Sequence, residues 1–313
     1  MGSTGEKINY SLRPAKQIER KMLCIAFQRL SHFAALSSYR YIGFGSFYFH
    51  DFMLFHKALG IENMISIERD VVNEARFRFN VPFSCVDLLF GSSNSILPDL
   101  PWDVRTILWL DYDYMVDKSV LTDISWFIAN SMPSSILVIT VNAQPDLLIK
   151  TPVENLTQRV SVDKMIPNVK KKDMSGWGIA NISRKIINNH LLEELAARNG
   201  SRPSGSKFVY QQLFNFHYQD GAKMLTVGGI LYDEGQQGQF DGCRFDNLDF
   251  IKNDEEPYTI EIPKLTFREL RHLDQQLPTE DFRQLKAQII PERDLERYSK
   301  VYPYFPTFAE IYM

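Results

Sequence analysis

The sequence predicts an α/β fold: a doubly wound, mostly parallel sheet with antiparallel edge strands, an N-terminal helix before it and a helical C-terminal tail after it. Two observations carry that expectation. Between residues 39 and 142, short β-branched or aromatic runs alternate with helix-like segments, as strands and crossover helices do in a parallel sheet. Five of those runs, "YRYIGF", "NMISIE", "FSCVDLLFG", "TILWLDYDY" and "SSILVITVN", are nearly continuous in apolar residues, as strands buried on both faces must be.

Over residues 13–36, "RPAKQIERKMLCIAFQRLSHFAAL" puts Ile18, Met22, Ile25, Leu30 and Phe33 near helical spacing, with a proline near the start, where its missing N–H costs nothing. This helix belongs to an N-terminal segment, 1–38. The α/β domain proper is expected over 39–262, with "FYFHDFMLFHKALG", "DVVNEARFRFN" and "LTDISWFIANS" as its first crossovers. A polar stretch of about 146–206 reads as an insert or lid; it holds a helix at "ISRKIINNHLLEELAARNG", stopped by Gly200, and "SGWGIAN" at 175–181 has the glycines of a mobile cover. Next, "SKFVYQQLFNFHYQDGA" reads as a helix and "MLTVGGILYD" as an alternating strand, with "FDNLDFI" and "YTIEIP" as later strands extending the sheet at one edge. The tail, 263–313, is helical and then aromatic, and "VYPYFPTFAEIYM" is apolar enough to dock on the domain or meet a protein partner.

Composition narrows the classes. At 313 residues, 44% hydrophobic and 23% charged, the chain can bury a full core. No apolar run approaches the ~20 residues of a membrane span, and the N-terminal residues lack the apolar centre of a signal peptide, so the expected location is cytoplasmic, with no membrane partner. A net charge of -3 gives no bulk attraction to nucleic acid; the local basic run at Lys170, Lys171 and Lys172 reads as a solvated loop. Cys24, Cys85 and Cys243 are widely separated and lack metal-ligand spacing, so they read as reduced thiols.

The chemistry concentrates at the ends of the predicted strands. Gly43 and Gly45 occupy the first strand-to-helix turn, where a ligand approaches the backbone closely in an open parallel sheet and a Cβ would obstruct it. Glu68 ends the second apolar run, where a carboxylate can accept hydrogen bonds from both hydroxyls of a ribose. After the fourth run come Asp111, Tyr112, Asp113 and Tyr114, emerging at the same edge.

In order and spacing, these residues of 40–144 resemble a class I S-adenosylmethionine-dependent methyltransferase, which has a Rossmann-like fold. "YIGFGS" is similar to that family's first motif, Glu68 to its ribose-binding acid, "CVDLLFGSSNSILPDL" to its third-strand motif and "TILWLDYDY" to its fourth. The resemblance implies S-adenosylmethionine as cofactor, held by Tyr41, Gly43, Gly45, Ser46, Glu68, Arg69 and Asp87, with Asp87 on the adenine amino group. Two positions depart from the family pattern. Tyr41 stands where an acidic residue usually contacts the methionine amino group, and Phe47 stands where a third glycine is common. That third glycine lets a helix approach a dinucleotide pyrophosphate, so its absence also argues against a nicotinamide-dependent oxidoreductase.

Methyl transfer needs the acceptor atom aligned behind the methyl within ~3–3.5 Å and its proton removed, so Asp111, Tyr112 and Asp113 are the catalytic candidates: either carboxylate as base, the tyrosines as an aromatic wall beside the sulfonium. Catechol-type O-methyltransferases carry a similar Asp-x-Asp, followed by an Asp-Asn pair after the fifth strand. Asp111, Asp113 and Asn142 are similar in position, and oxygen ligands of that kind suit Mg²⁺ or Ca²⁺. Val141 stands where the second aspartate would be, so no metal ligand is assigned. His50 and Asp51, just past the glycine turn, are further candidates to face the site. The expected function is methyl transfer to an oxygen, less readily a nitrogen, of a small-molecule or nucleotide-like acceptor. The alternative is a fold of the same type that binds an adenosine-containing ligand without methylating, as a sensor or accessory subunit, for example in bacterial antiviral defence.

Overall fold

The central strand β1 (Arg40–Gly43) is buried along its whole length and pairs in parallel with β2 (Asn63–Glu68) on one side and β4 (Thr106–Asp111) on the other. The computed structural model describes residues 13–146, 148–287 and 289–306. Outside β2 lies β3 (Val86–Phe90), and outside β4 lies β5 (Ser135–Asn142), both parallel to their neighbours. The hairpin of β6 (Phe208–Gln219) and β7 (Lys223–Asp233) inserts with β7 antiparallel to β5, and β8 (Tyr258–Ile260) adds in parallel to β6. The strand order is β3-β2-β1-β4-β5-β7-β6-β8. The expected doubly wound, mostly parallel sheet is present, and its antiparallel pairings are those of β7.

Side-chain alternation along these strands builds two cores. On one face, Tyr41, Met64, Ile107, Trp109, Ile136 and Val138 pack beneath the helices α1 (Pro14–Gln28), α2 (His50–Leu59) and α3 (Glu74–Asn80). On the other, Ile42, Ile65, Leu108, Leu110, Leu137 and Ile139 pack beneath α5 (Lys118–Asn130), α6 (Pro152–Val160) and α7 (Gly178–Asn199), with the short α4 (Ser93–Ile96) at the rim. Helix α1 is integral to the first core, because Ile18, Met22 and Phe27 are fully buried and each contributes about 1.5–3 kcal/mol of apolar transfer. Its first N–H groups are satisfied from a distance: Ala15 N and Lys16 N donate to Asp220 Oδ1 and Oδ2, at 3.1 and 2.8 Å, in the turn of the β6–β7 hairpin.

Two predicted elements differ. The segment expected to be a helix at "SKFVYQQLFNFHYQDGA" is strand β6. A bulge between Gln212 and Phe214 interrupts its period of two, so that Tyr210, Leu213, Phe214 and His217 fall at i, i+3, i+4 and i+7 and imitate a helix, whereas its aromatic content suits a pleated surface. The stretch "FDNLDFI" holds a 3-10 turn, Phe245–Asn247, rather than a strand: its apolar side chains anchor a loop, with Phe250 fully buried. The "SGWGIAN" residues form the entry to α7, where Trp177 stacks on His217 at 4.6 Å and Lys223 Nζ donates to Gly176 O at 3.1 Å.

Helices α8 (Gln237–Cys243), α9 (Phe267–Asp274) and α10 (Glu292–Val301) follow. The last two enclose a small third core of Leu273, Leu285, Ala287, Ile290, Leu295 and Tyr298. Of the aromatic tail, Val301 and Tyr304 are buried, Tyr304 packs edge-on against Phe250, and Lys21 Nζ donates to Phe305 O at 3.1 Å; residues 307–313 lie outside the described residues. Among the described residues no helix is long and apolar enough to cross a membrane.

Candidate functional site

Strands β1, β2 and β4 end on one rim of the sheet, and the turn from β1 to α2 is tied down to it. Gly45 N donates to Ser66 Oγ (3.0 Å), Ser46 N donates to Glu68 Oε1 (3.0 Å), and Ser66 Oγ donates to the same oxygen of Glu68 (2.9 Å). Glycine is required for so close an approach: a Cβ at Gly45 would lie 2.4 Å from the Phe49 ring and 2.7 Å from Ser66 Oγ. The turn also holds Ser46 at φ 51° and Phe49 at φ 47°, a conformation that costs a non-glycine residue about 1–2 kcal/mol and persists only where surrounding contacts enforce it. Glu68 is 7% exposed. Burial pushes its carboxyl up to about 7, and Asp51 adds to that effect, against hydrogen bonds from Ser66, Ser46 and Gly45 that favour the carboxylate. The Glu68 carboxyl thus lies across from the glycine turn, at a point where Phe49 and Ser66 leave no room for a Cβ on Gly45.

The Asp-Tyr-Asp stretch sends Asp111 and Tyr112 to opposite faces, as strand alternation dictates, and leaves Asp113 in the loop beyond β4. Asp111 ends β4 on the α1 side, where its Oδ2 meets Lys16 Nζ at 2.8 Å. Tyr112 turns to the other face and donates to Asp123 Oδ2 of α5 at 2.5 Å. Asp123 also accepts from Ser93 Oγ and Asn94 Nδ2, at 2.5 and 2.6 Å, which locks the turn after β3 to α5. Asp113 is exposed. Tyr112 is thus committed to packing, and Asp111 is the member of the three that faces the cradle side of the sheet.

Lys16 is 1% exposed and central to a buried polar network. Its Nζ reaches Glu19 Oε2 at 2.7 Å, donates to Tyr218 Oη at 3.1 Å, and lies 4.5 Å from the centre of the Trp109 ring. Glu19 in turn accepts from Thr226 Oγ1, which bonds Thr140 Oγ1 at 2.7 Å, and Thr140 accepts from Trp109 Nε1 at 3.0 Å. Burial raises the Glu19 carboxyl while Lys16 opposes that rise. One turn further along α1, Arg20 is 6% exposed, and its Nε and Nη1 have no hydrogen-bond partner.

Tyr41 is fully buried, edge-on to Phe52 and Phe55, and donates its hydroxyl to Asp51 Oδ2 in the first turn of α2. Arg69, exposed, passes 5.8 Å over the Tyr114 ring and so bridges the ends of β2 and β4. Asp87 is away from this rim. It is the second residue of β3 and pairs with Ile65, whereas Glu68 stands opposite Phe90, so Asp87 lies three residues, about 10 Å, back along the strand. Ser92, Ser93 and Asn94 occupy the corresponding position at the rim. The trio considered for a metal does not converge either: Asp111 is paired with Lys16, Asp113 is exposed, and Asn142 Nδ2 donates to the Asp113 carbonyl at 3.4 Å. Among the described residues no group of three or more His, Cys, Asp or Glu is arranged to hold a metal ion.

Sequence patterning passed over Lys16, Glu19, Arg20, Ser66 and Asp123. A signal existed for the first three. They share a helical stripe with the buried Leu23, at spacings that place charge on an inward face, and charge is rarely buried there without a partner.

Several solved structures are similar to parts of this chain. The O-methyltransferase from Bacillus cereus, in complex with SAH, is 12% identical, with 66% of this chain and 80% of that one covered at a TM-score of 0.36. TomG, the O-methyltransferase from Streptomyces achromogenes involved in tomaymycin synthesis, is 14% identical over 74% of this chain and 90% of its own, also at 0.36. Trm1 from Pyrococcus horikoshii, in complex with S-adenosyl-L-methionine, is 9% identical over 90% of this chain and 74% of its own, at 0.46. No curated protein matches the chain. A family does, along nearly the entire sequence: the chain belongs, through residues 8–313, to the family described as "Putative O-methyltransferase".

Proposed function

We propose that this protein binds S-adenosylmethionine across the rim formed by β1, β2 and β4 and transfers its methyl group to an oxygen of a small acceptor. The observation that carries this is the glycine turn tied through Ser66 and Ser46 to the buried carboxylate of Glu68, on a sheet whose order reverses between β1 and β4. When bound, the cofactor supplies an electrophilic methyl group on a sulfonium. The protein supplies placement. Glu68 accepts the ribose hydroxyls, the Gly43–Ser46 backbone lies along the cofactor, and the Arg69–Tyr114 contact borders it. Asp87 stands outside this arrangement. Asp111, 26% exposed and fixed by Lys16, is a positioned acceptor for the proton or hydrogen bond of an incoming hydroxyl. Asp113, without such support, is not needed for the reaction.

Calorimetric titration with S-adenosylmethionine and adenosylhomocysteine tests the cofactor site, with ATP as a third titrant. Micromolar binding of the first two, lost in Glu68→Ala, is expected; a folded wild-type protein that binds neither defeats the proposal, and equal affinity for ATP replaces it by nucleotide sensing. For the acceptor side, release of adenosylhomocysteine is followed with a panel of phenols, catechols and hydroxy acids. Asp111→Asn should lower turnover about 10²-fold or more and Asp113→Asn less than about threefold, in line with the usual worth of a positioned base. The reverse order would remove Asp111 from its role.

A further inference from the structure

Helix α1 carries a cation that the fold itself does not explain. Arg20 is 94% withdrawn from solvent, and its Nε and Nη1 make no hydrogen bond. Leaving two guanidinium nitrogens buried without a hydrogen bond is costly, and an arriving anion would satisfy them. Its position limits which anion. Arg20 lies one turn beyond Lys16, which touches Asp111 at the end of β4, and α1 packs on α2 through Phe27 and Phe55, ring centres 5.3 Å apart. The first turn of α2 holds Asp51, itself 7% exposed and bonded to Tyr41 of β1. Arg20 and Asp51 do not meet in an ion pair, although the guanidinium is near enough to pull the Asp51 carboxyl down against its burial. His50 adds no competing charge, since burial and then Arg20 push its imidazole down to about 4.

A guanidinium and a carboxyl that are both buried and near one another without touching, the first opposing the rise that burial imposes on the second, make a receptor for a zwitterion. We propose that Arg20 and Asp51 recognise the amino-acid end of the cofactor: Arg20 takes the α-carboxylate, and Asp51, presented by Tyr41, takes the α-ammonium. This assignment rests on the S-adenosylmethionine site proposed above, and deepens it.

Three ligands separate the parts: adenosylhomocysteine carries both groups, decarboxylated S-adenosylmethionine keeps only the ammonium, and 5′-methylthioadenosine has neither. In calorimetry on the full chain, Arg20→Met should weaken adenosylhomocysteine about 30-fold, about 2 kcal/mol, and leave the other two within about threefold. Asp51→Asn should weaken adenosylhomocysteine and decarboxylated S-adenosylmethionine but not 5′-methylthioadenosine. Because Arg20→Met removes a buried guanidinium with two unbonded nitrogens and keeps most of the side-chain volume, its thermal midpoint should equal or exceed that of the wild type. Equal losses for all three ligands, unchanged adenosylhomocysteine affinity, or an Arg20→Met protein that no longer folds would each overturn the assignment while leaving the cofactor site intact. Failure of the wild type to bind any of the three would overturn the cofactor site itself, and this assignment with it.

Discussion

Replacing Glu68 by Gln should make the protein more stable at pH 8 while weakening its hold on the cofactor. Burial raises the Glu68 carboxyl from 4.5 to about 7 in the folded state, so folding takes up a proton wherever the unfolded chain has already lost it. The stability Glu68 contributes is fully present below pH 4.5 and is lost as the pH rises through about 7. At 1.36 kcal/mol per pKa unit, the shift amounts to about 3 kcal/mol, of which some 2–3 kcal/mol falls between pH 5 and pH 8. Gln keeps the size and one acceptor oxygen and has no charge to desolvate. Urea unfolding of both proteins at the two pH values isolates the effect, because all other titrating groups are common to them. The stability of Glu68→Gln relative to wild type should rise by about 2–3 kcal/mol from pH 5 to pH 8. Its affinity for adenosylhomocysteine should fall about 10- to 100-fold, the worth of a hydrogen bond to a charged acceptor. An equal stability difference at both pH values would show that Glu68 is not held in the desolvated setting described, and would refute the reasoning.

Gly45→Val should lower the urea midpoint by the equivalent of about 1–3 kcal/mol and abolish adenosylhomocysteine binding, because its Cβ would enter the Phe49 ring and the Ser66 hydroxyl; a variant that binds normally would show that the turn relaxes freely. Lys16→Met should cost about 3–5 kcal/mol by stranding Glu19 and Asp111, and adding Glu19→Gln should restore about half of that in urea unfolding. A Lys16→Met protein as stable as wild type would mean that Glu19 is already protonated.

The parallel half of the sheet was legible because burial on both faces leaves few polar residues in a strand, and β1 to β5 are the apolar runs of the sequence in order. Strand β6 was not legible, because one extra residue at a bulge converts a period of two into apparent helical spacing over a window this short. In the site, Gly45 and Glu68 could be found since their roles follow from position at the ends of successive strands. Asp87 shows the limit of that logic: an acid in the third run is a rim residue only if the strand ends with it, and "LLF" carries β3 three residues further. Asp111 and Tyr112 are adjacent in sequence yet bond to α1 and α5 on opposite faces, which a strand assignment implies and a motif does not.

Helix α1 is where reading by motif fails most, and the reason is electrostatic. The rim gathers four carboxylates, Glu19, Asp51, Glu68 and Asp111, against two cations, Lys16 and Arg20, all but Asp111 less than 9% exposed. Replacing buried charges with apolar groups of similar volume is commonly neutral or stabilising, so stability alone does not account for this concentration. Glu19, Asp51 and Glu68 are all raised, burial first, with a neighbouring carboxylate adding to each: Asp111 for Glu19 and Asp51, and Asp51 for Glu68. Around these carboxylates the site is short of positive charge, a deficit that Arg20, near Asp51 but not bonded to it, offsets only in part. S-adenosylmethionine, with a sulfonium and an ammonium against one carboxylate, carries a net positive charge, and its demethylated product does not. If the cofactor binds where proposed, the charge arrangement favours the methyl donor over the spent cofactor. It depends on α1, because without Lys16 the deficit would be too large for Glu19 to stay buried beside Asp111. The N-terminal helix is in this sense a wall of the site, assembled from residues far from the glycine turn in sequence.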